Sequence, residues 1–457
     1  MSKINQTIFR EYDIRGKYPS EIDLQTAYLI GKAFATSLKA KKIAAASDRR
    51  QESATIMPAF LCGIKDAGCK IYYLGINSTP TVFFAVKEMK LDGGVAFTAS
   101  HNPIGYTGLK LCDKKGSLLG LNTGVKKIRQ LAQKIPTPVN NTFTMPAHTN
   151  IDITSAYYKF ASKIIDLDKI RGFKIVLDAS GGSGARLADY FFVRLHSKII
   201  KMNFKPNDKF ADHGPNPMLA KNQKLASLEV KKTKANLGII YDGDGDRSIF
   251  IDDTGKFISP YYINCLLAKI ILSKYKKIGI VMDARLRLGL SEVIKNAGGT
   301  PIICRSGYSN LVKLMQTKKA LFGCENSGHY FFNFKLIDKK TNFIFGDAIM
   351  PSLLILEYLK ENKLSLKEAI TEFKNKYFIS GEINYENIIF EKAEKLLAKK
   401  YAKYKTDDLD GLSIYGDDWF VNMRPSKTEP IVRLNIEAKT KENLQKITQE
   451  VSNLIKK

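Results

Sequence analysis

No apolar stretch in the 457-residue chain approaches the roughly 18 residues that span a bilayer. The longest candidate, Tyr261 to Leu272, is interrupted by Asn264 and Lys269, so no membrane partner is expected. Cysteine is sparse: six residues, with no C-x-x-C among them, exclude a disulfide scaffold and predict a reduced, cytoplasmic protein. The first residues, MSKINQTIFREYDIRG, have neither an apolar core nor a cleavage site, so no secretion signal is expected. Arginine-rich runs and basic arms are lacking too, although Lys+Arg 72 against Asp+Glu 45 leaves +27. The lysines are spread along the chain in short pairs such as Lys41-Lys42 and Lys231-Lys232. That dispersal predicts a solvated basic surface rather than a nucleic-acid footprint, and a mild attraction for small phosphorylated anions.

What the chain does have is repetition. Three stretches begin with a basic residue, a short apolar strand and an aspartate, ending at Asp48, Asp178 and Asp283. Each continues through an amphipathic segment into a second strand: Cys69 to Ile76, Ser197 to Phe204, Thr300 to Gly307. A third strand then runs into a loop of small and polar residues. Short apolar runs alternating with helix-length patterns mark βαβ units, here predicted as three related α/β domains with mixed sheets. Beyond about residue 364 the pattern becomes α+β, with helices at Ser365 to Lys376, Glu391 to Lys405 and Lys441 to Lys456 and a hairpin around Ser426 to Glu429. The expected domains are 1–147, 148–253, 254–364 and 365–457. Ligands of open α/β sheets gather beyond the carboxyl ends of the strands, so a cleft lined by the three loops is predicted.

Four loops carry chemistry. D-G-D-G-D-R places Asp242, Asp244 and Asp246 on one side of a glycine-curled turn, an oxygen-only set suited to a hard cation such as Mg2+. An EF-hand would need Gly at loop position six and Glu at twelve, where Arg247 and Asp253 stand. Arg247 itself is placed to offset charge on a transferring phosphoryl group. T-A-S-H-N-P displays Ser100 and His101 at a loop tip; a nucleophile and a capping turn both fit that pair. G-C-E-N-S-G-H (Gly323 to His329) offers Glu325, Asn326, Ser327 and His329, which suits vicinal hydroxyls of a sugar and equally a turn with a satisfied core histidine. R-P-S-K-T-E-P (Arg424 to Pro430) has the inventory of an anion site. GGSGARL (Gly181 to Leu187) does not match G-x-G-x-x-G and reads as a helix-entry turn.

These loops, preceded by F-R-E-Y-D-I-R-G at Phe9 to Gly16, occur in one order over nearly the whole chain. The sequence resembles the α-D-phosphohexomutases, and within them the bacterial phosphomannomutase/phosphoglucomutase group. The resemblance implies three α/β domains and a TATA-binding-protein-like α+β domain round a central cleft. It implies a reversible exchange of phosphate between C6 and C1 of a hexose, mannose or glucose, through a phosphoserine and a 1,6-bisphosphate that also serves as activator. Ser100 would carry the phosphoryl group and, with Asp242, Asp244 and Asp246, hold Mg2+. Glu325 and Ser327 would read sugar hydroxyls, while Arg424, Ser426 and Thr428 grip the phosphate that is not reacting. Arg15 and Lys110 are the implied further active-site cations, and Tyr12, Arg285, Tyr308 and Arg433 complete the substrate-binding set. Lys110, His101 and His329 are all candidates for general acid and base. The last domain is expected to hinge over phosphosugar substrates, in a monomer or weak homodimer.

Three positions depart from the usual pattern: Lys427 for Asn, Arg285 for Lys, and Tyr308 for His. The rival within the family is a phosphoglucosamine mutase, which usually opens F-G-T-D-G-I-R-G and carries Gln at the position of Asn326. Outside it stand a basic nucleic-acid-binding protein without catalysis and a phosphatase in which water intercepts the phosphoserine.

Overall fold

A computed structural model describes residues 4–139, 142–205, 214–340, 343–426 and 431–456. The chain forms two compact units, Met1–Phe257 with His329–Lys363, and Ile258–Gly328 with Leu364–Lys457. Its architecture is the expected one: three α/β domains with mixed sheets and a C-terminal domain built on an antiparallel sheet.

In the first unit, Lys42–Ser47 lies parallel to Lys70–Ile76 on one side and Gly93–Phe97 on the other. Tyr106–Asp113 then pairs antiparallel with Gly93–Phe97, and Ile14–Lys17 antiparallel with Tyr106–Asp113. A second sheet repeats the plan: Lys174–Asp178 is flanked in parallel by Lys198–Met202 and Leu237–Tyr241, and Ser248–Ile251 returns antiparallel. In the second unit Gly279–Asp283 is flanked in parallel by Thr300–Cys304 and Phe322–Cys324. The central strands are buried along their length, which is why they read as continuous apolar runs.

The aspartate ending the first strand of each repeat makes the same local contact. Asp48, Asp178 and Asp283 accept hydrogen bonds from the backbone N–H two residues on, of Arg50, Ser180 and Arg285, at 3.1, 2.8 and 3.0 Å. All three carboxylates are buried, so the chain turns sharply where it leaves the sheet.

The apolar stretch Tyr261 to Leu272 lies in the helix Pro260–Lys274, buried on nearly every face. Ser259 caps it, accepting from Tyr261 N at 3.4 Å, and Pro260 starts it where no N–H is needed. Among the described residues no helix is long and apolar enough to cross a membrane. The helix expected to run to Lys405 ends at Lys400; Tyr401 and Tyr404 turn inward to pack on Trp419, and a strand begins at Lys405.

Glu437, on the strand Ile431–Ala438, ties the C-terminal sheet to the preceding α/β domain. Its buried carboxylate accepts from Leu288 N at 2.8 Å, from Gly289 N at 2.5 Å and from the Tyr261 hydroxyl. It thus satisfies the first N–H groups of the helix Leu288–Asn296 across a domain boundary. Glu437→Ala leaves those donors buried and unpaired, a loss of about 2 kcal/mol or more. A fall of roughly 4–8 °C in Tm by calorimetry is the expected result, against little change for Ala at exposed Glu386.

Candidate active site

Ser100 follows the strand Gly93–Phe97 in a turn that holds it at φ 51°, the left-handed region that L-residues seldom adopt. Its backbone N–H donates to Thr98 Oγ1 at 2.8 Å. Arg50, buried beneath the loop, donates to Ser100 O at 2.7 Å, Asn102 O at 2.6 Å and Pro103 O at 2.9 Å, and is itself held by Asp48 at 3.1 Å. The strained turn is thereby fixed from below, and Ser100 Oγ sits 3.2 Å from His101 Nδ1 and 3.4 Å from Asp242 Oδ2. Burial, then Arg247, Arg15 and Lys110, hold the His101 pKa well below its ordinary 6.5, so the imidazole is neutral at pH 7. Arg15 reaches the same loop, donating to Asn102 Oδ1 at 2.8 Å while paired with Asp13.

Asp242, Asp244 and Asp246 are buried, with carboxylate oxygens within 4.8 Å of one another. Burial, followed by the fields of Asp246 and Asp244, pushes the Asp242 pKa well above the carboxylate range. Asp246 moves the other way: burial would raise it, but Lys110, His329 and Arg247 outweigh that. Lys110 Nζ donates to Asp244 at 2.7 Å and to Asp246. Burial works against its charge, yet the three carboxylates prevail and raise its pKa. Thr79 Oγ1 donates to Asp244 at 2.5 Å, while the N–H groups of Asp246 and Arg247 donate to Asp242 at 3.1 and 3.2 Å. His329 Nε2 lies 3.0 Å from Asp246 Oδ1 and 3.2 Å from Arg247 Nε; a single ring nitrogen either accepts from the arginine or donates to the carboxylate.

The set fits a hard divalent cation. Its donors are all oxygen, its three carboxylates are crowded enough that burial and mutual repulsion drive Asp242 toward its neutral form, and Asp244 Oδ1 is buried with no hydrogen-bond partner among the described residues.

GGSGARL enters the helix Ala185–Arg194, as expected, and is also the seat of the acidic loop. A Cβ on Gly182 would stand 2.5 Å from Gly243 O, and one on Gly245, at φ 67°, 2.8 Å from Gly184 Cα. Arg49 Nε donates to Gly182 O at 2.9 Å, joining the first domain to this seat.

In the second unit Glu325 is buried and accepts from Gly307 N at 2.8 Å; Ser327 Oγ lies 3.4 Å from its other oxygen. Asp283 holds this loop through Asn326 N at 2.6 Å while bound to Arg285 Nη2 at 2.7 Å. Tyr308 is buried at the start of the helix Tyr308–Lys318. Arg424 and Arg433 face each other on paired strands, with Glu382 2.9 Å from Arg433 and 3.5 Å from Arg424. Burial, then Arg285, lowers the Arg424 pKa, as expected where cations crowd. Ser426 is half-buried just after its strand; Thr428 and Lys427 lie outside the described residues. Tyr12 is half-buried in the turn before Ile14–Lys17. The first unit therefore gathers Ser100, His101, Lys110, Arg15, Arg247, His329 and the acidic trio, and the second gathers Glu325, Ser327, Arg285, Arg424 and Arg433. Asp48, Arg50, Thr79, Asp283 and Glu382 were not singled out as site residues from the sequence. Only the strand-ending aspartates left a signal there, as the repeated element.

Comparison with known proteins agrees. Family models described as phosphoglucomutase/phosphomannomutase alpha/beta/alpha domains I, II and III match residues 6–138, 155–255 and 259–377, and the model of the C-terminal domain matches 386–454. A phosphomannomutase of Methanocaldococcus jannaschii is 34% identical, covering 98% of both chains. A protein of Xanthomonas campestris described as phosphohexose mutases is 32% identical over 98% of this chain and 99% of its own. The crystal structure of a phosphoglucomutase/phosphomannomutase family protein from Burkholderia thailandensis superposes at TM-score 0.86 with 25% identity, covering 99% of this chain and 98% of that one. An Aspergillus fumigatus N-acetylphosphoglucosamine mutase in complex with GlcNAc-6P and magnesium, 15% identical, shares the fold at TM-score 0.61, covering 98% of this chain and 95% of its own.

Because the seat leaves no room for a methyl group, Gly182→Ala should push the acidic loop out of register. Mg2+ binding, titrated calorimetrically, should weaken about tenfold or more, since a misplacement of about 1 Å at a positioned site can cost about a hundredfold. Unchanged affinity would mean that the seat does not position the carboxylates.

Proposed function

The chain belongs to the phosphoglucomutase/phosphomannomutase family of isomerases, and on that premise we propose that it interconverts hexose 6-phosphates and hexose 1-phosphates of mannose and glucose. In this reading Ser100 carries a phosphoryl group and passes it to the free hydroxyl of a hexose monophosphate. The resulting 1,6-bisphosphate turns end for end, and its other phosphate returns to Ser100. The same bisphosphate recharges enzyme that has lost its phosphoryl group. The observation that carries the reading is the serine oxygen held against Asp242 and His101 beside a buried acidic trio.

Asp242, Asp244, Asp246 and a phosphoserine oxygen would hold Mg2+, which when bound supplies charge neutralisation at the transferring group. His101, neutral and next to Ser100 Oγ, is suited to take the serine proton when that oxygen accepts a phosphoryl group, and to return it when the oxygen leaves. Lys110 and His329, both engaged with the trio, are the candidates for the proton of the sugar hydroxyl. Arg247 and Arg15 offset charge at the phosphoryl group. Glu325 and Ser327 read the sugar hydroxyls, while Arg285, Arg424, Ser426, Thr428 and Arg433 hold the other phosphate, with Tyr12 and Tyr308 completing the substrate contacts. The domains are proposed as 1–147, 148–253, 254–364 and 365–457. Such an enzyme would work in the cytoplasm as a monomer or weak homodimer, with phosphosugars rather than nucleic acid as partners.

The test is a parallel assay of mannose, glucose and glucosamine 1-phosphates with hexose 1,6-bisphosphate as activator. Mannose and glucose 1-phosphates should both turn over, because they share configuration at C3 and C4. Ser100→Ala should reduce kcat by about a thousandfold or more, and Glu325→Ala should lower kcat/KM for both sugars by roughly 30- to 100-fold. Preferred turnover of the glucosamine phosphate would overturn the substrate assignment; full turnover by Ser100→Ala would overturn the covalent scheme.

A further inference from the structure

Three arginines of the second unit converge on one carboxylate. Arg424 and Arg433 are directly opposite in the antiparallel register of Trp419–Pro425 and Ile431–Ala438, a pairing that is repulsive on its own. Arg285 brings a third guanidinium from the loop after Gly279–Asp283. Glu382 stands among them: Oε1 is 2.9 Å from Arg433 Nη1, and Oε2 is 3.5 Å from Arg424 Nη2 and 3.8 Å from Arg285 Nη1. The strand Phe378–Glu386 is irregular at this point, its register shifting between Ile379 and Glu382 with Gly381 at φ 72°. A bulge of this kind re-aims a side chain.

Asp283 holds Arg285 through Nε at 3.2 Å and Nη2 at 2.7 Å, and Glu325 and Asp410 act on Arg285 and Arg424 respectively through their fields. Of these carboxylates Glu382 is the one that reaches all three guanidiniums. Arg424 Nε is in addition buried with no partner among the described residues, so the cluster has donor capacity beyond what Glu382 takes up. The Glu382 side chain is 28% exposed, unlike the buried Asp283, and can swing out without leaving a hole in the core.

We propose that Glu382 is a built-in stand-in for phosphate: a carboxylate that holds the three arginines together until a phosphate displaces it, and takes them back when the phosphate leaves. This rests on the reading that Arg285, Arg424 and Arg433 hold the phosphate that is not reacting. A mutase that releases and re-seats a bisphosphate in every cycle gains from such competition. Arginines left to face one another would hold the first phosphate tightly and slow the turn. Glu382 is therefore a positioning residue that acts through the arginines, setting how strongly phosphate is held against how readily it is let go.

A merely scaffolding carboxylate predicts the opposite sign. If Glu382 only orients the guanidiniums, its neutralisation loosens them and weakens phosphate binding. If it competes, Glu382→Gln tightens binding of inorganic phosphate by about fivefold, the scale of one partly exposed ion pair. KM for glucose 1-phosphate then falls by a similar factor, and kcat falls with it. Glu382→Asp keeps the charge on a shorter arm and falls between the Gln variant and wild type, giving a second reading should the Gln variant fail to fold. Calorimetric titration with inorganic phosphate, with kcat and KM determined separately, decides the matter. Unchanged or weaker phosphate binding in these variants overturns the inference. Phosphate binding needs no turnover, so failure of the wild type to convert any hexose phosphate is a separate result, directed at the mutase reading alone.

Discussion

Three carboxylates buried within one short loop set the electrostatic problem that the rest of the first unit answers. Like charges removed from water are unfavourable unless cations or donors meet them. Here the answers come from four different elements: Lys110 from the strand Tyr106–Asp113, Thr79 from the start of the helix Thr79–Glu88, Arg247 from the acidic loop itself, and His329 from the loop before Tyr330–Asn333. Because each group is also part of the packing of its own element, the loop cannot move without disturbing the unit. The close approach of Gly182 to Gly243 and of Gly184 to Gly245 removes what freedom remains. In the proposed reaction, donors fixed in this way need little reorganisation at the moment of transfer.

A second constraint recurs three times. The aspartate that ends the first strand of each repeat turns the chain, and the residues it steadies reach the loop after the third strand. Arg50 holds the carbonyl groups around Ser100, Ser180 Oγ donates to Tyr241 O beside Asp242 at 2.5 Å, and Asp283 itself accepts from Asn326 N. One device thus places the Ser100 loop, the acidic loop and the Glu325 loop. The residue two positions after the aspartate has a different part in each repeat. Arg50 is a buried clamp, Ser180 a short tether, and Arg285 a member of the arginine group around Glu382.

Much of this was legible in the sequence because it is local. A parallel strand buried on both faces is a continuous apolar run, and D-G-D-G-D-R, T-A-S-H-N-P and G-C-E-N-S-G-H are each complete within a few residues. The antiparallel strands Tyr106–Asp113 and Ser248–Ile251 were less visible, since each follows a functional loop with no break of its own. Arg50, Thr79, Glu382 and Glu437 were invisible for a different reason. Each acts on a partner dozens of residues away or more, and its type alone says nothing of that partner. GGSGARL shows the same limit: its place before a helix could be read, but its role as a seat depends on a glycine loop some sixty residues further on.

The proposed function turns on Ser100 as the residue that carries the phosphoryl group, with His101 beside it as proton carrier. The most direct measurement is to charge the protein with glucose 1,6-bisphosphate, digest it under conditions that preserve both phosphoserine and phosphohistidine, and map the modified residue by mass spectrometry. One phosphoryl group on Ser100, lost when hexose monophosphate is added, is the predicted result. A phosphoryl group on His101, or a protein that turns over phosphosugars without ever carrying one, would contradict it.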